Sequence, residues 1–176
     1  DVFFASPAQQ FRSTGLDGAV CAFTTATAAA VQQLFERARA QGIADPLLFG
    51  LVPFDSARPG SFTIPRSVQQ SACANRTGLA AIAARKERPA VAGRRPVPEP
   101  EVYGDMVRKA LAVYAQGEVK KIVLSRAMDV DAELDYERVL GGLLQRNAHG
   151  YTFAIPLWTA DGQQQPDAVM LGASPE

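Results

Sequence analysis

The sequence predicts an α+β fold, on three observations. Short apolar segments bounded by Gly and Pro read as strands. Three longer stretches carry an apolar period near 3.6 residues and read as helices. The two kinds mix without internal repeats or regular βαβ alternation. At 176 residues the chain suits one domain or a piece of a larger one.

Phe3-Phe4-Ala5-Ser6-Pro7 opens as a short apolar strand closed by proline, and Gly15 and Gly18 punctuate the polar connection beyond it. Thr25 or Thr27 is placed to cap a helix running to about Ala40. Val31, Leu34, Phe35 and Ala38 form its apolar stripe, and Gly42 lies just past its end. Residues 47–52 are apolar on both faces, which predicts a fully buried strand ended by Pro53. Ser61-Phe62-Thr63-Ile64 predicts a shorter, half-buried strand. Residues 66–98 change character: Ser, Gln, Ala, Arg and Pro dominate without usable periodicity, which predicts an irregular, partly mobile surface loop.

A second helix starts near Pro100, with Glu99 and Glu101 favourable to its dipole, and stops at Gly117. Its stripe of Met106, Val107, Ala110, Leu111 and Tyr114 is expected to face inward. Residues 119–126 follow as a β-branched and aliphatic run that predicts a strand. Period-two alternation puts Lys121, Val123 and Ser125 on one face, with Ile122, Leu124 and Arg126 on the other, and turns Lys120 away from Lys121. The third helix spans about 134–147, with Tyr136, Val139, Leu140, Leu143 and Leu144 on its stripe. Gly141-Gly142 inside it costs about 2 kcal/mol of propensity relative to alanine, a sign of close helix packing. Two strands, 151–158 and 168–173, complete the chain, joined by a connection containing Asp161-Gly162.

Bulk composition excludes several classes. The formal net charge is zero, and the basic residues between Arg76 and Arg95 are interrupted by Pro and Ala with no aromatic among them. That is poor equipment for nucleic acid. No apolar run approaches the ~20 residues that cross a bilayer, and there is no signal-peptide pattern, so a cytoplasmic protein without a membrane partner is expected; separately, a monomer is expected. Cys21 and Cys73 lack metal-type spacing and read as reduced, buried thiols. The one histidine, His149, sits in the turn Asn147-Ala148-His149-Gly150 and reads as a cap or surface residue. A His/Cys zinc site and a Ser-His-Asp triad therefore have weak support. Asp1 in place of Met, and Glu176 within an apolar hairpin, read as cut ends.

The conspicuous residue is Lys121. Burying an ammonium without a partner is costly, so a lysine in register with an apolar strand either snorkels at the strand end or serves chemistry.

Two segments resemble the chorismate-utilising enzymes: Lys121-Ile122-Val123-Leu124-Ser125-Arg126 and Leu171-Gly172-Ala173-Ser174-Pro175-Glu176, separated as in that family by a helix and one strand of a hairpin. Phe3-Phe4-Ala5-Ser6-Pro7 followed by Phe11 and Thr14-Gly15, together with Gly50-Leu51-Val52-Pro53-Phe54-Asp55, is similar to the siderophore-type isochorismate synthases within it. The resemblance runs over nearly the whole chain yet covers less than half of a usual member. It implies that residues 1–176 are the N-terminal portion of a larger α+β chorismate-binding domain, two packed β-sheets with helices outside.

What the resemblance implies for activity is a Mg²⁺-dependent isomerisation of chorismate to isochorismate, with water added at ring carbon 2 and the hydroxyl lost from carbon 4. The family's strand lysine, matching Lys121, activates the water. A lysine serves as a base only when desolvation disfavours its charged form, which apolar neighbours such as Ile122 and Val123 would assist. Ser125 reads as a satisfied strand hydroxyl, and Arg126 as structural or paired. Glu176 is given neither acid nor metal duty: the general acid, the magnesium carboxylates and the groups holding the substrate carboxylates are implied to lie further along. The chain by itself is then expected to be inactive, with no metal-binding residue of its own. Two alternatives stay open: a salicylate synthase, which goes on to eliminate pyruvate, and a non-catalytic fragment or binding module in which Lys121 only snorkels.

Overall fold

Apolar alternation along short strands builds three sheets, two of them backed by a helix. The computed structural model describes residues 1–13, 15–72, 90–117, 119–158 and 168–174. The chain divides into two compact units, Asp1–Arg85 with Tyr136–Glu176, and Lys86–Asp135.

In the first unit, β1 (Phe3–Ala5), β2 (Gln9–Ser13), β6 (Val68–Ala72), β9 (Tyr151–Leu157) and β10 (Ala168–Ser174) form an antiparallel sheet in the order β10-β9-β1-β2-β6. Alternation sorts its faces. Phe3, Ala5 and Ala154 pack against Leu140 and Leu144 of α3 (Tyr136–Arg146), flanked by Val169 and Leu171. On the other face Phe11, Phe4, Phe153 and Gly172 fall in one row across four strands. A Cβ on Gly172 would come within 2.4 Å of the Phe153 ring, so the glycine makes room for the aromatic.

The second sheet is β3 (Val20–Thr24), β5 (Gly60–Ile64) and β4 (Phe49–Leu51), ordered β3-β5-β4. It is covered by α1 (Ala28–Ala40), whose Leu34 and Ala38 join Val20, Ile43, Phe62 and Ile64 in one buried cluster. Thr27 caps this helix, its hydroxyl accepting from the Ala30 amide at 3.2 Å, and Gly42 follows at φ +81°. The sheets are tied together at Trp158. Its backbone N–H donates to Ser61 Oγ at 2.8 Å and its indole N–H to Thr63 Oγ1 at 2.7 Å, both in buried surroundings.

Several expectations need correction. The polar stretch after Pro7 holds β2, a strand kept together by side-chain amides: Gln10 Nε2 donates to Ser71 Oγ at 2.9 Å, and Gln70 Nε2 to Gln9 Oε1 at 2.6 Å. β3 was equally unforeseen. β4 is shorter than 47–52 and lies at a sheet edge, so Leu47 and Val52 are exposed rather than fully buried. β5 is the central strand, and all five of its residues are buried instead of half. Residues 66–98 are not simply a loop, because β6 and β7 (Val91–Val97) occupy parts of that span; residues 73–89, Cys73 among them, lie outside the described residues. So does the connection with Asp161-Gly162. Gly141 is buried, but a Cβ on Gly142 would meet nothing within 4 Å, so close packing accounts for at most one of the pair.

The second unit consists of β7 (Val91–Val97) paired antiparallel with β8 (Ala127–Ala132), and α2 (Pro100–Ala115). Pro100 and Glu101 suit the start of α2, and Gly117 follows its end at φ +76°. No residue of α2 is buried, which corrects the inward stripe. Leu111 and Tyr114 stand 63% and 54% exposed, because no described element covers that side of the helix.

Candidate functional site

Lys121 belongs to the second unit, in a stretch where the strand expected at 119–126 is absent. Residues 119–126 take no ladder, and pairing begins only at Ala127, opposite Val97. The physical reason is the lack of a partner: a strand exists through its inter-strand hydrogen bonds, and no described segment offers them here. Without a ladder the parity argument fails too. Lys120 and Lys121 both line one groove of about 340 Å³, floored by Val107, Ala110, Leu111 and Tyr114 of α2 and edged by Ile122 and Leu124. Lys120 is not turned away.

The groove is open. Lys121 is exposed, as is Ile122, and Val123 is 77% exposed, so the apolar neighbours do not exclude water from the ammonium. Ser125 is exposed. The Arg126 guanidinium lies 5.8 Å from the centre of the Tyr103 ring, a cation–π contact that fixes the far end of the segment.

The other motif ends β10 in the first unit. Asn147 Nδ2 donates to the carbonyls of Ser174 and Tyr151, each at 2.9 Å. A Cβ on Gly150 would sit 1.9 Å from the Ser174 oxygen, so only glycine admits this approach. The turn that holds the exposed His149 is thus a clamp on β10, and sequence reasoning missed it. No local signal marks it, because Asn147 and Ser174 lie 27 residues apart in the chain. Pro175 and Glu176 lie outside the described residues.

Two further features carry no catalytic equipment. A groove of about 440 Å³ in the first unit is lined by Phe4, Phe11, Phe49, Phe153, Ile155 and neighbouring aliphatic residues, with no titratable side chain. Burial pushes the Cys21 thiol above its ordinary value of 9.0, opposed by a hydrogen bond with Thr63 and the charge of Arg37. That thiol is structural in character.

The magnesium implied by the sequence resemblance finds no holder here. Among the described residues no three His, Cys, Asp or Glu side chains gather into a group that fits a cation. No described helix is long and apolar enough to cross a membrane.

Comparison with known proteins adds a consistent result. Residues 61–176 match the family described as chorismate binding enzyme. The chain is 39% identical over 145 residues to isochorismate synthase EntC of Escherichia coli K12, covering 81% of this chain and 35% of that protein. It is 35% identical over 152 residues to the vibriobactin-specific isochorismate synthase of Vibrio cholerae, covering 82% of this chain and 34% of that one. Among solved structures, the putative 2,3-dihydroxybenzoate-specific isochorismate synthase DhbC of Bacillus anthracis superposes with a TM-score of 0.71 at 29% identity, covering 99% of this chain and 44% of that chain. The α+β architecture is accordingly that of DhbC, and the chain spans about a third of the length of the curated relatives it matches.

Proposed function

We propose a function on one premise: this chain belongs to the chorismate binding enzyme family. It is the N-terminal portion of an isochorismate synthase, acting within the complete enzyme on chorismate. The observation that carries this reading is 39% identity to a curated isochorismate synthase over 81% of the chain. The relatives' printed specificities, vibriobactin and 2,3-dihydroxybenzoate, favour a place in siderophore biosynthesis over salicylate production.

In the proposed reaction Lys121 removes a proton from the water that adds to ring carbon 2, while an acid on the other side of the ring protonates the departing hydroxyl of carbon 4. Lys121 can do so only where water is excluded, because desolvation is what disfavours its ammonium. Its exposure in this chain therefore fits an incomplete site, and the chain alone is expected to leave chorismate unchanged. Mg²⁺ would suit the dianionic substrate, with oxygen ligands drawn from outside the described residues.

Product analysis tests the reading. A polypeptide in which this chain is continued by the unmatched remainder of E. coli EntC is incubated with chorismate and Mg²⁺ and analysed by chromatography with mass detection. Isochorismate, equal in mass to chorismate, is the expected product. A folded chimera that leaves chorismate unchanged would overturn the reading.

A further inference from the structure

Lys121 lies in a stretch without a ladder of its own, so its place depends on what fixes the stretch at either end. On one side Gly117 follows the end of α2. On the other the ladder of β8 begins at Ala127, opposite Val97 of β7. That ladder holds the backbone against β7, whereas the groove that takes Lys121 is floored by α2. The link between ladder and helix is Arg126. Its guanidinium stands 5.8 Å from the centre of the ring of Tyr103, in the first turn of α2.

Tyr103 is also on the groove side of the helix. Tyr103, Val107, Ala110, Leu111 and Tyr114 recur at helical spacing and share one stripe. The reach of the chain matches that stripe. At ~1.5 Å of rise per residue, Tyr103 and Tyr114 are about 16 Å apart along the axis. The chain from Lys121 to Arg126 spans at most about 17 Å. With Arg126 seated on Tyr103, Lys121 is confined to the length of the groove. We infer that Tyr103 and Arg126 are positioning residues for Lys121: the cation–π pair seats the segment on α2 and so sets where the ammonium is presented. The inference rests on the proposed function for the role of Lys121 as base. Neither residue needs to touch chorismate. A cation over an aromatic face requires the ring and not the phenol hydroxyl, which shapes the test.

Steady-state kinetics of the chain continued by the unmatched remainder of E. coli EntC provide it. Tyr103→Leu keeps bulk and removes the ring; it should lower kcat about 10-fold and leave the KM for chorismate within about 2-fold, because a misplaced base slows the chemical step. Tyr103→Phe should return kcat to within about 2-fold of the unsubstituted value. In a Lys121→Ala background Tyr103→Leu should cost nothing further, since a residue that acts through Lys121 loses its effect with it. A Tyr103→Leu variant with unchanged kcat, or a loss that persists without Lys121, overturns the inference and leaves the function standing. If Tyr103→Leu does not fold, Arg126→Gln removes the same contact and is read the same way. Should the unsubstituted continued chain make no isochorismate, the function falls and the anchoring is read by nuclear magnetic resonance of the chain alone. Amide resonances of residues 120–122 that move with both Tyr103→Leu and Arg126→Gln support it, and unmoved resonances overturn it.

Discussion

The two units of this chain are built from similar apolar stripes and reach opposite ends. In Asp1–Arg85 with Tyr136–Glu176, each stripe meets a complementary surface: Leu34 and Ala38 against β3 and β5, Leu140 and Leu144 against β1 and β9. In Lys86–Asp135 the stripe of α2 and the aliphatic run at 119–126 remain open, and none of the buried core side chains among the described residues belongs to that unit. The difference teaches where information resides. An amphipathic helix or strand specifies that it must be covered; what covers it is a property of another segment. The lysine with the strongest functional resemblance lies in the unit whose apolar surface is least satisfied.

Substitutions can break this contrast, and the largest effect belongs to the cores. Ile64→Ala, at a position 0% exposed, is expected to cost about 2–5 kcal/mol. Leu111→Ala, at 63% exposure, is expected to stay within ~0.5 kcal/mol. Urea unfolding followed by Trp158 fluorescence measures the first, and far-ultraviolet circular dichroism of the same titration follows both. Equal losses at the two positions would mean that the second unit has a core of its own.

A smaller effect separates two glycines of the first unit. Gly172→Ala drives a methyl into the Phe153 ring and is expected to cost about 1–3 kcal/mol. Gly142→Ala enters open space on α3 and is expected to stabilise by about 0.5–1 kcal/mol. Thermal denaturation of both variants should shift the midpoint in opposite directions.

The smallest effect is a pH dependence. Burial raises the Cys21 thiol above 9.0 in the folded chain, so the protonated form is favoured by folding. Below 9.0 the thiol is neutral in both states; above it the unfolded thiol ionises first, and stability is lost as pH rises toward the folded value. Cys21→Ala should therefore flatten part of the decline in urea midpoint between pH 8 and pH 10. An unchanged decline would show that the thiol does not contribute.

Much of the first unit was legible in sequence. α1 with its Thr27 cap and Gly42 terminus, α3 with Leu140 and Leu144, and the β9–β10 pair follow from period and punctuation alone. β2 was not, since a Gln-rich strand held by side-chain amides has no apolar signal. Nor was the rank of β5 over β4, because centre and edge are decided by neighbours distant in sequence. Of the candidate site, the sequence picked out Lys121 and its apolar surroundings, but it could not show that the groove is open or that Lys120 shares it. Asn147 and Gly150, which fix the carbonyl of Ser174, act through a contact that no local pattern announces.

The most direct test of Lys121 as the base is its replacement by alanine in the chain continued by the remainder of E. coli EntC. Isochorismate formation should fall by about 10²–10⁴-fold, the usual contribution of a general base, with the urea midpoint unmoved. A variant that keeps its turnover within a few-fold while losing stability would contradict the account, and would make Lys121 a snorkelling strand residue.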